Sequence, residues 1–304
     1  MSTIVPKKLA IYYGWPSAVN SSGGNPNLAA VVFKDYDLVV FGQGLENPSH
    51  GDHANTVAII NHPDMANTEV YGYIDATLAI DDIQDKIELW GEMGVSGIFL
   101  DQFGYDFNVS REKQRAIVWS VHHLYSGADR LKAFVNAWNP DDAFSPAVNA
   151  IHNPLGKSTR LNENDWYLAE SFAIKNGAYD DEDHNGNGIK DWQDKAFKLT
   201  GPGGYRDTYG TKIAAITTND SSPYDQNKAD YSYYASVANT FNAWGWGEEF
   251  FSASSASLPF RPRPPVLGTY FTGAITYVAG VLERQTNIGI HIDTNTHTTN
   301  TLLN

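Results

Sequence analysis

Two apolar runs in this 304-residue chain end on a carboxylate: Gly-Ile-Phe-Leu closes on Asp101, and Trp-Tyr-Leu-Ala closes on Glu170. Paired acids facing one sugar bond are the working parts of glycoside hydrolysis. In the retaining form one attacks the anomeric carbon and the other protonates the leaving oxygen, with the carboxyl groups about 5 to 5.5 Å apart. A single acid at a strand exit more often caps the next helix or pairs with a base. Two acids on matching runs, among many aromatic residues, favour catalysis, and Asp101 and Glu170 are the expected catalytic pair.

The elements that must position them recur along the chain. Short β-rich apolar runs fall at 9–15, 38–42, 70–75, 97–101, 133–138, 166–170, 213–219 and 240–246. Most start about 26 to 35 residues apart, the length of one strand, one crossover helix and two loops, which predicts an α/β fold of the (β/α)8 barrel type. Helical spacing of Ile80, Ile83, Ile87 and Trp90 behind a candidate cap at Asp81, and a candidate Ser110 cap before Ile117 and Val121, fill the intervals. Lys8, Lys132 and Lys212 stand at strand entrances, whereas acids, amides and aromatics stand at the exits, so the functional rim is the C-terminal one. Asp101 and Glu170 then close the fourth and sixth strands. Neighbouring strands lie roughly 4.8 Å apart, so side chains two strands apart can converge across the rim.

The same rim carries the candidate substrate-binding residues. Tyr13 and Trp15 follow the first strand, Asp75 the third, Asn136 and Trp138 the fifth, Asn219 the seventh, and Trp246 and Glu248 the eighth. Amides bind sugar hydroxyls and indole or phenol rings stack on sugar faces. Strand alternation lets only a share of them point inward, and the rest belong to the core or the outer face. Asp220 and Glu249 are rim acids of the same kind.

The interval between the sixth and seventh strands stretches to about 47 residues, which places an insertion in the sixth strand-to-helix loop, near residues 180–195. Within it, Asp183, Asn185, Asn187, Asp191 and Asp194 put oxygen ligands at loop positions 1, 3, 5, 9 and 12, with Gly188 at 6 and the Ile189 carbonyl at 7. This is the spacing of a calcium loop ending in Asp rather than Glu, as in dockerin and thrombospondin-type loops, and a structural Ca2+ is expected. An acidic turn without metal is the plainer alternative. His50 and His53 share a loop on the rim, and their spacing is too weak a pattern to assign metal.

Composition narrows the partners. A net charge of -14 argues against nucleic acid or an anionic membrane as partner. A barrel aldolase working through a Schiff base needs a lysine near a strand exit, and a phosphate-binding barrel needs a glycine-rich loop after strand seven, where Thr217-Thr-Asn-Asp220 stands. Cysteine is absent, which removes thiolate chemistry. The N-terminus carries no visible signal peptide and no apolar run is long enough for a membrane span, although a polysaccharide substrate and a calcium loop suit an extracellular or virion-associated setting. Residues 1–258 are read as the barrel. Residues 259–304 are read as a proline-rich linker at 261–265 and a small β appendage of about three strands, either a frayed tail or a module for homo-oligomerisation or particle attachment.

From about Leu9 to Glu249 the chain resembles the endo-α-1,4-galactosaminidase and spherulin-4-like glycoside hydrolases. The likeness rests on Ile-Tyr-Tyr-Gly at the first strand, Tyr-Gly-Tyr-Ile-Asp75, the Trp90-x-x-Met-Gly94-Val-x-Gly97 turn leading into Asp101, Asn136, and Glu170. It implies a (β/α)8 barrel that cleaves α-linked, galactosamine-containing polysaccharide without an organic cofactor, with Asp101 and Glu170 matching the paired acids. On that footing Asp101 is expected to be the nucleophile and Glu170 the acid/base. The calcium-type insertion and the C-terminal β segment depart from the family pattern. A barrel that binds glycan without cleaving it, or serves as a structural part of a virion or cell surface, is the alternative.

Overall fold

The computed structural model describes residues 5–125, 130–249, 254–255, 258, 263, 271–286 and 288–303. Eight parallel strands close into a barrel: β1 Lys7–Tyr12, β2 Leu38–Phe41, β3 Glu69–Asp75, β4 Gly97–Asp101, β5 Lys132–Asn136, β6 Trp166–Ala169, β9 Lys212–Thr218 and β10 Ala243–Gly247. All eight runs anticipated from the sequence are barrel strands. The ring order is β1-β10-β9-β6-β5-β4-β3-β2, so β5 lies between the two strands that end on the acids and stands across the ring from β1.

Between them run the helices α1 Pro26–Phe33, α2 His53–Ile60, α3 Ile80–Glu92, α4 Arg111–His123, α5 Pro140–Phe144, α6 Asp191–Thr200, α7 Tyr205–Tyr209 and α8 Gln226–Ala238. Ser110 caps α4 as expected, its hydroxyl accepting from Lys113 N at 3.4 Å. Asp81 does not cap α3. Ala79 takes that position and Asp81 sits in the first turn, where a carboxylate favours the positive end of the helix dipole. The insertion after β6 contains a two-residue hairpin, β7 Ile174–Lys175 and β8 Ala178–Tyr179, then the acidic loop and α6.

Period-2 alternation divides the core in two. Leu9, Ile11, Leu38, Val40, Tyr71, Tyr73, Phe99, Phe134, Trp166, Leu168, Ala214 and Ile216 fill the barrel interior. The alternate residues pack outward against the helices. One outward position fixes β3 closely: a Cβ on Gly72 would lie 2.1 Å from the Trp90 ring, and the Trp90 indole N–H donates to the Tyr73 carbonyl at 3.1 Å. Only glycine lets α3 sit this near the strand that carries Tyr73.

At the entrance end, Glu69 accepts from Lys7 at 3.2 Å, Lys132 at 3.0 Å and the Tyr71 hydroxyl at 2.8 Å. Burial alone would raise the Glu69 pKa, but these hydrogen bonds and lysine charges prevail and lower it from 4.5 to about 2. A carboxylate held this way contributes stability above pH 4.5 that disappears as pH falls towards 2. Glu69→Gln is expected to cost about 2 kcal/mol at neutral pH and to flatten that acid limb. Urea unfolding of both forms between pH 7 and pH 2.5 measures it, and parallel curves would refute the assignment.

The C-terminal segment is a four-stranded antiparallel sheet, β11 Phe271–Val278, β12 Val281–Thr286, β13 Ile288–Asp293 and β14 Thr298–Leu303, one strand more than expected. It is a sheet docked on the barrel, not a frayed tail. β13 and β14 contact α8, Arg284 donates to the Ala238 carbonyl at 3.2 Å, and His297 stacks on Tyr179 with ring centres 4.0 Å apart. Of the expected linker, Arg263 is described and donates to the carbonyls of Pro6 and Trp244; the remainder of 261–265 lies outside the described residues. Among the described residues no helix is long and apolar enough to cross a membrane.

Candidate active site

Inward parity runs through residue 101 on β4, 136 on β5 and, one residue past its end, 170 on β6, so Asp101, Asn136 and Glu170 rise side by side from three adjacent strands. The Asn136 amide joins the two acids. Its Nδ2 donates to Asp101 Oδ1 at 2.9 Å and to Glu170 Oε2 at 3.0 Å. Those oxygens can be no farther apart than the sum of the two lengths, about 5.9 Å. Because an amide NH2 directs its two hydrogens some 120° apart, their separation is about 5 Å. The expected convergence of Asp101 and Glu170 is present.

Asp101 is held on its other oxygen too. The Tyr73 hydroxyl donates to Oδ2 at 2.9 Å. Burial first, then the nearby Asp101 charge, pushes the Tyr73 and Tyr13 phenols well above their ordinary value, so both remain protonated donors beside the acids. Tyr13 packs edge-on against Tyr73 at 5.5 Å.

The chain turns sharply just after each acid. Gln102 and Ser171, the residues that follow Asp101 and Glu170, have φ of 54° and 53°, a left-handed conformation uncommon for either residue type. Phe103 N then donates to the Asn136 carbonyl at 2.9 Å and Phe172 N to the Ile216 carbonyl at 2.9 Å. Two matched kinks therefore aim the carboxylates upward and turn the chain back over the neighbouring strand, a placement of backbone strain typical of functional sites.

Above the pair opens a cavity of about 350 Å³ lined by Tyr13, Asp101, Gln102, Asp106, Phe107, Asn136, Trp138 and Glu170, with Ile11, Phe99 and Leu168 as its floor. Trp138 is 44% exposed and forms a wall. The Lys195 ammonium lies 4.1 Å and that of Lys175 5.4 Å from the Trp138 ring centre, fixing the indole by cation-π attraction. Lys195 also shares with Glu170 a smaller cavity of about 80 Å³ that reaches Glu182, His184 and Asp191. Burial lowers the Lys195 pKa to about 8, against the opposing charge of Glu170.

The other expected binding residues divide. Tyr13, Asn136 and Trp138 line the cavity. Asp75 is in register with Asp101 on the rim, where its Oδ1 accepts from Thr77 N at 2.7 Å, and it does not line the cavity. Trp15 is 55% exposed on the far bank, edge-on to His50 at 5.5 Å, also outside the cavity. Three expectations fail. Asn219 has outward parity, is buried, and donates to the Ser222 carbonyl at 2.8 Å. Trp246 also points outward and packs on Tyr224, because the inward places of β10 are taken by Ala243, Gly245 and Gly247. With Glu248 it lines a separate cavity of about 420 Å³ between α1 and β1.

Sequence reasoning missed Tyr73, Lys195, Asp106 and Phe107. Tyr73 was recoverable, since it stands two residues before Asp75 on the same face of β3. Nothing local marks Lys195, which reaches the site from a helix of the insertion.

In the acidic loop, Asp183 accepts from Asn187 N at 3.2 Å and Gly188 N at 2.9 Å, and the side-chain amides of Asn185 and Asn187 donate to Asp194 Oδ2 at 2.7 and 3.0 Å. Ile189 N donates to Asn187 Oδ1 at 2.7 Å, and Gly188 has φ of 81° as position 6 of such a loop demands. Asp191 opens α6 and pairs with His184. Ligand atoms of Glu182, His184 and Asp191 lie within 4.8 Å of one another. Asp191 is the one expected ligand in that group; Asp183 and Asp194 stand outside it, and their carboxylates accept from N–H and amide groups of the loop itself.

No family model matches the chain, and no curated protein matches it. Solved structures with a similar barrel include a Rhizobium etli pyruvate carboxylase with acetyl coenzyme-A, at 7% identity and a TM-score of 0.44 over 80% of this chain and 23% of that one. A putative dihydrodipicolinate synthetase from Pseudomonas aeruginosa matches at 8% identity and a TM-score of 0.41 over 79% and 70%. Tryptophan synthase from M. tuberculosis matches at 10% identity and a TM-score of 0.41 over 80% and 83%. The chain thus spans about a quarter of the first of these proteins, and the activities in the names are theirs.

Proposed function

We propose that this barrel is a retaining glycoside hydrolase acting on α-linked, galactosamine-containing polysaccharide, in keeping with its resemblance to the endo-α-1,4-galactosaminidase and spherulin-4-like enzymes. The observation that carries the reading is the single Asn136 amide bonded to both Asp101 and Glu170. It brings the two carboxylate oxygens to the separation a double displacement uses, short of the 6.5 Å or more that leaves room for a water in inverting enzymes.

Asp101 accepts from both Asn136 and Tyr73, so both of its oxygens are held in place, and in this reading it is the nucleophile. It attacks the anomeric carbon while Glu170 gives its proton to the departing glycosidic oxygen. Glu170, now a carboxylate, takes a proton from water, whose oxygen attacks the same carbon and frees Asp101. Trp138 and Phe107 supply stacking faces, and Asp106 adds negative charge suited to a protonated amino sugar.

In the same reading Asp183, Asn185, Asn187, the Ile189 carbonyl, Asp191 and Asp194 hold a calcium ion. Bound there, an ion would supply no chemistry to the reaction and would stiffen the loop from which α6 presents Lys195 to Trp138. A polysaccharide substrate and a calcium loop both suit work outside the cell or on a virion.

Incubation with α-1,4-linked galactosamine polymer tests the reading: new reducing ends should appear, first as the α anomer by proton NMR. Trp138→Ala is expected to raise KM about 3- to 10-fold, the worth of one stacking platform, while Trp246→Phe leaves it unchanged. Binding without new reducing ends would replace the hydrolase with a glycan-binding barrel, and a first-formed β anomer would rule out the retaining route.

A further inference from the structure

We infer that the outer wall of the barrel carries a second glycan site, remote from the catalytic mouth, that takes an acidic sugar. Its base is α4, on which Arg115 and Trp119 stand one turn apart on one face. With Gln84, Glu112, Ser120, Lys157 and Arg160 they line a pocket of about 410 Å³. Trp119 is 44% exposed. The His123 imidazole covers one face of its indole, with ring centres 4.7 Å apart and 10° between planes. Arg130 approaches His123 Nε2 at 3.5 Å behind it.

The backing holds the indole in place as a platform for the C–H face of a pyranose. Three of the chain's eight arginines, Arg115, Arg130 and Arg160, gather around this one tryptophan in a protein of net charge -14. The Arg115 guanidinium is anchored on the Ser158 carbonyl at 2.5 Å and that of Arg160 on the Arg115 carbonyl at 3.3 Å. Each fork carries five N–H donors, so donors beyond those anchoring bonds suit a carboxylate or sulfate, which guanidinium binds bidentately.

The pocket also contains acceptors. Glu112 pairs with Lys157, and Gln84 uses its Nε2 on Ser120 Oγ at 2.9 Å, which leaves its carbonyl for a hydroxyl donor. A ring with one acid and several hydroxyls satisfies both sets. A deoxyribose-phosphate strand lacks the free ring hydroxyls that the Gln84 carbonyl and Glu112 would accept from, which disfavours DNA. The ligand class is therefore a uronic-acid or sulfated oligosaccharide, and the site would moor the protein to an acidic glycan while the barrel mouth acts elsewhere. The inference does not depend on catalysis at Asp101.

Calorimetric titration of the full chain at low salt tests it, with hexagalacturonate as probe and maltohexaose and a single-stranded hexadeoxynucleotide as comparisons. The overall negative charge repels any polyanion, so saturable binding requires a local site. Hexagalacturonate is expected to bind and the other two to bind at least 10-fold more weakly. Trp119→Ala and Arg160→Gln should each weaken it at least 5-fold without shifting the thermal midpoint or the release of reducing ends at the catalytic mouth. Absent binding, equal binding of the oligonucleotide, or indifference to Trp119→Ala would each overturn the inference. Loss of reducing-end release with hexagalacturonate binding intact would instead count against the catalytic reading alone.

Discussion

Asp101→Ala is expected to lower polymer cleavage by about 10⁴-fold or more, because it removes the group that bonds to the anomeric carbon in the proposed mechanism. Glu170→Ala should lower it by about 10² to 10⁴-fold, the usual contribution of a positioned acid/base. The decisive reading is not the loss but what azide restores. In Asp101→Ala, azide can enter the vacated space and displace the leaving group in one step, inverting an α-linked substrate to a β-glycosyl azide. In Glu170→Ala, an activated leaving group departs unaided and azide then attacks the glycosyl-enzyme formed on Asp101, giving the α-glycosyl azide. Opposite anomers from the two variants would assign both roles, and reversed anomers would exchange them. No rescue in either, with wild-type cleavage intact, would move the chemistry to another acid on the rim.

Asn136 and Tyr73 make this prediction sharper than a pair of acids alone would. Both hydrogen-bond Asp101, and Asn136 also holds Glu170, so each fixes geometry without entering the bond changes. Tyr73→Phe should reduce turnover less than either acid variant.

Chelation supplies the second large effect. An ion bound only by the folded chain, at a thousand times its Kd, adds about 4 kcal/mol. For a domain of this size that is a midpoint shift of roughly 6 to 8 °C. The thermal midpoint in calcium is expected to fall by that amount with EDTA, and Asp183→Ala should have the lower midpoint in either condition. Terbium in place of calcium should luminesce on excitation of tryptophan, since the buried Trp192 directly follows the proposed ligand Asp191 on α6. Identical midpoints with and without chelator, and dark terbium, would leave the loop an acidic turn held by its own Asp183 and Asp194 hydrogen bonds. The effect should reach the active site as well, because Asp191 and Glu170 line the same small cavity with Lys195 between the loop and Trp138.

The amino-acid sequence determined the barrel, the rim on which the acid pair meets and the acidic loop, because each is written in local order: a strand's length, a two-residue alternation, a spacing of oxygen-bearing side chains. Parity alone separates Asp101, Asn136 and Glu170 from the outward-facing Asn219 and Trp246, and it would also have found Tyr73. Tertiary structure decided the rest. The Asn136 bridge depends on three strands meeting around a closed ring, Lys195 arrives at Trp138 from a helix some sixty residues away, and Arg160 joins Trp119 across a loop. Such meetings follow from closure and packing, to which the whole chain contributes, so no window of neighbouring residues records them.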